Sequence, residues 1–410
     1  MITNSIRALN RQPPKDLRRR PLSFPLPEHG GVGPAAELAA LRGAGPCPAL
    51  LPSGVPALLV HGYAELREVV TDVRLSRSAA ARHGMTARSP ESLALNSADP
   101  PDHTRRRRAV AAAFTQRRAD AMRPAVARHA DGLASRMLAA GAPAELVADF
   151  TRPLAVRVIC QLLGVPDGDF ARFHPAVTVM MSTAGHPPDQ VSAAHRDLFD
   201  YFADRYDRRR SGTDPAGQDV LTDLVEASRP GGPLTREEAV HVGYGLLIAG
   251  YETVTHQLAI CAYLLLSDRS RWEWLRRNPR RLATAVEEML RCTSLAATGG
   301  APHMAREPTA VGAVKVPADQ VVVPVFAAAN RDPVVFEAPD ELRLDRHPNP
   351  HVAFGYGRHL CLGAPLARVE LTTALDTLLR RVPTLDLAEA TPRWREGMFV
   401  RGLTALPVRW

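Results

Sequence analysis

The segment Phe354-Gly-Tyr-Gly-Arg-His-Leu-Cys361-Leu-Gly363-Ala-Pro-Leu-Ala-Arg368 sets one cysteine between a glycine-rich loop and a predicted helix. A thiolate in that position is stabilised by the positive end of the helix dipole and by backbone N–H groups that lack intrahelical partners. Gly355, Gly357 and Gly363 would let the backbone pass close to a flat ligand, and Pro365 suits a first helical turn. Two rival readings stay open on this segment alone. A G-x-G loop can cradle phosphate, although no Gly-Lys-Ser/Thr and no long apolar strand accompany it here. A lone cysteine is more often an inert buried side chain than a ligand.

Three other groupings could do chemistry or support it. Ala249-Gly-Tyr-Glu252-Thr253 places an acid beside an alcohol in an apolar stretch. Taken alone it is an ordinary polar pair, with the Thr253 hydroxyl bonded to the carbonyl one turn back. Glu288-Met-Leu-Arg291 is an i,i+3 pair that would ordinarily be a surface salt bridge. Asp99-Pro-Pro-Asp-His103-Thr-Arg-Arg-Arg107 puts His103 and Arg107 four apart, on one face of a helix. Its ordinary reading is a solvated basic face.

The cysteine segment resembles the F-G-x-G-x-H-x-C-x-G-x-x-L-A-R signature of bacterial cytochrome P-450 enzymes, with every signature position filled. The other groupings follow in that family's order, from about residue 55 to the end. The resemblance implies haem b as cofactor, with Cys361 as the iron ligand, Phe354 packed on the ligand loop with Gly355 and Gly363, and His359 at a haem propionate. Thiolate ligation of this kind favours O–O cleavage. It further implies that Thr253 and Glu252 deliver protons to dioxygen, that Ala249 and Gly250 lie over the haem with Gly250 leaving a notch for dioxygen, and that His103 and Arg107 meet propionates. Glu288, Arg291 and Arg346 would be a buried structural set, and Asn330-Arg-Asp-Pro333 a structural marker. Arg105, Arg106, Arg108 and Arg358 would be solvated or would surround a docking face for an acidic ferredoxin. One departure stands out. His303 occupies the place of a usual propionate arginine, with Arg306 a neighbouring substitute.

The elements that must position these residues are mainly helical. Asp102 to about Ser267 carries apolar residues at 3.6-residue spacing, with breaks near Gly141, Gly164, Gly185–Pro188 and Ser211–Gly217. Pro233 to Ser267 is expected as one long buried helix, opened by Thr235 and Glu238 as a capping box. Residues 280–292 and 363–381 are two more helices. Pro56–Val60 reads as a strand before a helix at Tyr63–Val70, residues 77–98 as a loop, and 298–326 as a region of short β runs. Residues 1–30 are expected to be irregular, and 31–410 to form one mainly α domain with a minor β region, the cytochrome P-450 fold.

Composition limits the function classes. The 410 residues are 45% hydrophobic and 23% charged, with a formal net charge of +8. The positive charge is nearly all arginine, spread along the chain, and no nucleic-acid module accompanies it. Five scattered cysteines without C-x-x-C argue against a disulfide framework or a zinc site, and Cys160 and Cys261 read as small buried hydrophobes. The absence of a signal core or long apolar run predicts a cytoplasmic protein without a membrane anchor, expected to be a monomer. The pocket is expected at the 77–98 loop, the 180–192 turn, Leu246, Ala249, Gly250, Leu295, Ala297, the small segment Thr298–Ala301, and Met398-Phe399. That lining suits a hydrophobic or aromatic small molecule. The expected reaction is hydroxylation or epoxidation of a natural-product-type substrate, with dioxygen and with electrons from ferredoxin and ferredoxin reductase. The alternatives are oxidative C–C or C–N coupling of an aromatic substrate such as a cyclic dipeptide, and a non-catalytic helper that keeps the fold.

Overall fold

Val321–Pro324, four buried residues in a row, form an enclosed strand of a six-stranded sheet. The structure, a computed structural model, describes residues 21–26, 31–33, 36–51, 53–82, 95–183, 186–293, 295–296 and 299–410. Residues 1–20, the 83–94 part of the predicted loop and Ala297 lie outside the described residues. The chain divides into two compact units, one of residues 1–86, 291–342 and 350–360, the other of 87–290, 343–349 and 361–410.

In the first unit the sheet runs Leu22–Ser23, Cys47–Leu50, Pro56–Val60, Val321–Pro324, His303–Ala305, Leu75–Ser76. Pro56–Val60 pairs in parallel with Val321–Pro324, and His303–Ala305 joins the latter antiparallel. Alternate residues face two apolar clusters. Leu59, Val321 and Val323 enter one, and Val60 and Val322 enter the other with Leu66, Val69 and Phe336. Burying each such side chain contributes roughly 1.5–3 kcal/mol. Leu22–Ser23 is a short edge strand, so the stretch expected to be irregular adds to the sheet.

The 77–98 stretch departs from its reading as a loop, because Arg77–Arg82 is a helix. Its Ala-rich sequence favours the helix, and Ser76 caps it by accepting the Ala79 N–H at 2.9 Å.

The second unit is built on the helix Arg236–Leu266. Thr235 and Glu238 form the capping box, with Thr235 Oγ1 accepting the Glu238 N–H at 3.1 Å and Glu238 Oε2 accepting the Thr235 N–H at 3.0 Å. Around this helix pack Arg152–Leu163, Pro188–Arg210, Val220–Ala227 and Ala364–Arg381. Gln116–Ala140 packs in turn on Ala364–Arg381 and stops at Gly141, whose φ of 85° suits glycine. Arg152–Leu163 stops at Gly164, in the left-handed region with φ 78°. The predicted 180–192 turn is shorter than expected, since Phe170–Met181 and Pro188–Arg210 are helical on either side. Asp386–Leu387, Pro407–Arg409 and Ala144–Glu145 form a small sheet, and Arg393–Trp394 pairs with Leu403–Ala405. Among the described residues no helix is long and apolar enough to cross a membrane.

Candidate active site

Cys361 precedes the helix Ala364–Arg381 by three residues, and the Ala364 N–H donates to its carbonyl at 3.4 Å. Burial pushes the Cys361 thiol up, while the nearby Gly363 and Ala364 N–H groups and the charges of Arg107 and Arg368 pull it down, leaving a net rise. Yet the residue is exposed, whereas Cys47, Cys160, Cys261 and Cys292 are buried. A group that is both desolvated and accessible borders an interior opening. Two of the buried thiols rise further: burial, with the charges of Asp167 and Asp169, pushes Cys160 up to about 12, and burial outweighs the Gln257 hydrogen bond to push Cys261 up to about 12.

The long helix opens in the same selective way. Most of it is buried, but Leu246, Ala249, Gly250 and Thr253 are half-buried or exposed. Their spacing of i, i+3, i+4 and i+7 makes one stripe. The stripe is apolar apart from Thr253, whose hydroxyl donates to the Ala249 carbonyl at 2.6 Å. That proton is committed, so the oxygen faces the opening as an acceptor. Gly250 has a packing role. A Cβ there would come within 2.3 Å of Ile159 Cδ1, so the glycine serves close packing against Arg152–Leu163.

Beside the stripe Glu252 is 2% exposed and strongly paired. Arg395 Nη1 donates to its Oε2 at 2.7 Å, and the same nitrogen contacts His256 Nε2. Burial would raise the Glu252 carboxyl, but His256 and Arg395 outweigh it and hold it at about 2. Burial in turn lowers the pKa of His256. Arg395 carries no local signal in the sequence, being 143 residues from Glu252 beside a small hairpin, whereas His256 stands at i+4 from Glu252 on the same helix, a spacing that could have shown it.

His103 is buried on the helix Asp102–Val110, and Arg107 lies near enough to Cys361 for its charge to be felt. Arg105 and Arg106 are not a solvated or docking pair. Glu238 holds both, accepting from Arg105 Nη1 at 2.7 Å and from Arg106 Nε at 3.2 Å. The helix cap therefore takes up charges that the sequence left for a partner. Arg108 is exposed. Glu288 is fully buried, and Arg346 Nε meets both its oxygens at 3.0 Å, with the Arg343 N–H and Asn349 adding donors.

In the first unit Arg291 is fully buried and donates to the carbonyls of Asn330, Pro339 and Glu341. Asn330 Oδ1 accepts the Val352 N–H at 2.7 Å, which fixes the start of the 352–360 loop. Gly355 and Gly357 have φ of 78° and 69°, which a side chain would strain. Phe354 is half-buried beside His351, His359 ends the short turn Gly357–His359, and Arg358 donates to the Thr71 carbonyl at 2.6 Å. His303 is buried and accepts from Arg77 Nε at 3.3 Å, while Arg306 is exposed. Arg77 reaches His303 from the helix Arg77–Arg82, in a stretch whose small polar residues and prolines predict a loop. Leu295 is half-buried. In the second unit the Phe399 N–H donates to the Met181 carbonyl at 2.7 Å, tying that predicted pocket loop to the end of Phe170–Met181.

A model of the cytochrome P450 family matches residues 155–391. This chain belongs to the cytochrome P450 family. It is 42% identical over 405 residues to nocardicin C N-oxygenase of Nocardia uniformis subsp. tsuyamanensis, spanning 96% of this chain and 99% of that one. It is 39% identical over 395 residues to mycinamicin IV hydroxylase/epoxidase of Micromonospora griseorubida, spanning 95% and 99%. Among solved structures, HinD with NMFT and NO superposes with a TM-score of 0.90 at 37% identity, covering 95% of this chain and all of that chain. The mixed-function P450 MycG gives 0.84 at 38% identity with the same coverage. The P450 assignment makes this chain a haem b monooxygenase, as the sequence reading expected. The described residues fit the cofactor: one accessible thiol with two N–H groups and arginine charge nearby, and an apolar helix stripe facing open space.

Proposed function

We propose that this P450 oxidises a hydrophobic natural-product-type small molecule with dioxygen and electrons delivered by a ferredoxin and its reductase. The observation that carries this reading is the accessible stripe Leu246, Ala249, Gly250 and Thr253, with ionised Glu252 beside it. Relatives named as an N-oxygenase and as a hydroxylase/epoxidase support the same chemistry.

When bound, haem b supplies the redox-active iron at which dioxygen is reduced and cleaved. Cys361 Sγ is the iron ligand in this reading, with the Gly363 and Ala364 N–H groups and the charges of Arg107 and Arg368 favouring the thiolate against the effect of burial. His103, Arg107 and His359 hold propionates, and Arg77 beside His303 supplies the guanidinium that the sequence lacks at 303. On the opposite side of the chemistry, Thr253 Oγ1 fixes a water by accepting its hydrogen, since its own proton is given to Ala249. Glu252 relays protons from solvent to this water, and Arg395 holds the carboxylate in place. Leu246, Ala249 and Leu295 exclude bulk water and favour an apolar substrate. Phe399, on the loop bonded to Met181, borders the same substrate.

The test is product formed per NADPH for Thr253→Ala, using a compound that gives a substrate-type Soret shift with the wild type. Proton delivery through Thr253 predicts that the ratio falls about ten-fold, with the balance released as hydrogen peroxide. A variant as well coupled as the wild type would remove Thr253 from the mechanism.

A further inference from the structure

The accessible stripe of the long helix does not end at Leu246. One turn before Ala249, Gly245 is half-buried, and a Cβ there would meet no atom within 4 Å. His241 and Ile248 are half-buried as well. His241, Gly245 and Ile248 stand at i, i+4 and i+7, so they share one face, and that face meets the Thr253 stripe at Ala249. From Thr253 to His241 the helix rises about 18 Å, at about 1.5 Å per residue.

An aromatic ring stands at the far end. The helix Pro188–Arg210 crosses the long helix at Gly243, where a Cβ would run into the Phe202 ring. One turn earlier on the crossing helix, the half-buried Phe199 ring has its centroid 4.9 Å from that of His241. The buried Tyr244 ring lies 5.5 Å from His241. The tautomer of His241 follows from its partner. Its Nδ1 is 2.9 Å from the Glu237 carbonyl, an oxygen that can only accept. The ring proton is therefore on Nδ1, and Nε2 of the neutral imidazole is left as an acceptor. Among the described residues no hydrogen bond reaches that Nε2.

We propose that His241 and Phe199 form a subsite for the far end of the substrate, and that the substrate is an elongated, largely apolar molecule ending in a hydrogen-bond donor such as a hydroxyl. The subsite rests on the reading of Leu246, Ala249, Gly250 and Thr253 as the substrate face and extends that face toward the helix N-terminus. The apolar body lies along Ala249, Ile248 and Gly245, where the missing side chain leaves the passage open. The terminal donor meets His241 Nε2, and the adjoining carbons pack on Phe199. One placed acceptor at the end of an apolar run fixes the direction in which such a molecule enters.

The test is spectral titration of haem-loaded enzyme with 1-(ω-hydroxyalkyl)imidazoles, from the butanol to the tetradecanol, beside the matching 1-alkylimidazoles. The imidazole end binds the iron and shifts the Soret band, so the dissociation constant reads contacts made further out without turnover. In the wild type the long alcohols should bind about ten-fold more tightly than their alkyl partners, the contribution of one hydrogen bond. The short alcohols should show no such gain. His241→Phe keeps a ring beside Phe199 but removes the acceptor, and it should erase the difference. Gly245→Leu fills the open space and should weaken the long probes of both kinds while leaving the short ones unchanged. Long alcohols that bind no better than long alkyls, or a gain that survives His241→Phe, overturn the subsite. Long probes indifferent to Gly245→Leu overturn the passage that leads to it. Ala249→Phe tests the underlying reading, since it should exclude every probe. If long and short probes all bind that variant as they bind the wild type, the substrate face itself is misplaced.

Discussion

Arg395 Nη1 stands 2.7 Å from Glu252 Oε2 and contacts His256 Nε2, so one guanidinium holds a buried acid and its histidine neighbour. Burial opposes ionisation of Glu252, yet the carboxyl lies at about 2 against an ordinary 4.5. A carboxyl depressed on folding stabilises the protein above its unfolded value, and that stability is lost as pH falls from about 4.5 to about 2. Arg395→Leu should cost about 3 kcal/mol at neutral pH, because it leaves a buried charge short of its partner. It should also shrink the acid limb, because a Glu252 carboxyl nearer its unfolded value loses less stability as pH falls. Thermal unfolding against pH checks both, and an unchanged acid limb would show that Arg395 does not set the Glu252 charge.

Gly250→Ala should destabilise through crowding rather than through a blocked opening. The new Cβ would meet Ile159 Cδ1 at 2.3 Å and Cγ1 at 2.5 Å. Overpacking of this kind costs about 1–3 kcal/mol. Ile159→Ala removes both atoms, so the double variant should cost less than the sum of the two singles. Strictly additive unfolding free energies would contradict the contact.

The same glycine shows where the sequence ran short. Its place in the motif was legible, but its reason lies in Ile159, on another helix. Patterns read within one element did well: the capping box at Thr235 and Glu238, the stops at Gly141 and Gly164, and the helix after Cys361 all formed. These depend on local hydrogen bonds and on backbone dihedrals that neighbours dictate. The arginines were harder. A guanidinium reaches far, and its partner is set by tertiary packing. Arg105 and Arg106 went to Glu238, Arg395 to Glu252 and Arg77 to His303. A Ser-capped, Ala-rich stretch at Ser76–Arg82 was the one local signal that could have placed Arg77.

Arg77 gives a prediction about cofactor retention. Arg77→Ala should weaken haem binding by about ten-fold, the loss of one charge-assisted hydrogen bond. His303→Arg in that background should restore most of it, since the guanidinium returns one contact away. Haem transfer to apomyoglobin measures the effect, and an unchanged transfer rate in Arg77→Ala would exclude the residue from the cofactor site.

The central claim is that Cys361, alone among the five cysteines, is the iron ligand. Reduced, haem-loaded protein exposed to carbon monoxide tests it most directly. The wild type should show the red-shifted Soret band of thiolate ligation, and Cys361→Ser should lose it while Cys292→Ser keeps it. A wild-type band at the position given by histidine-ligated or unligated haem, or a thiolate band surviving in Cys361→Ser, would contradict the assignment.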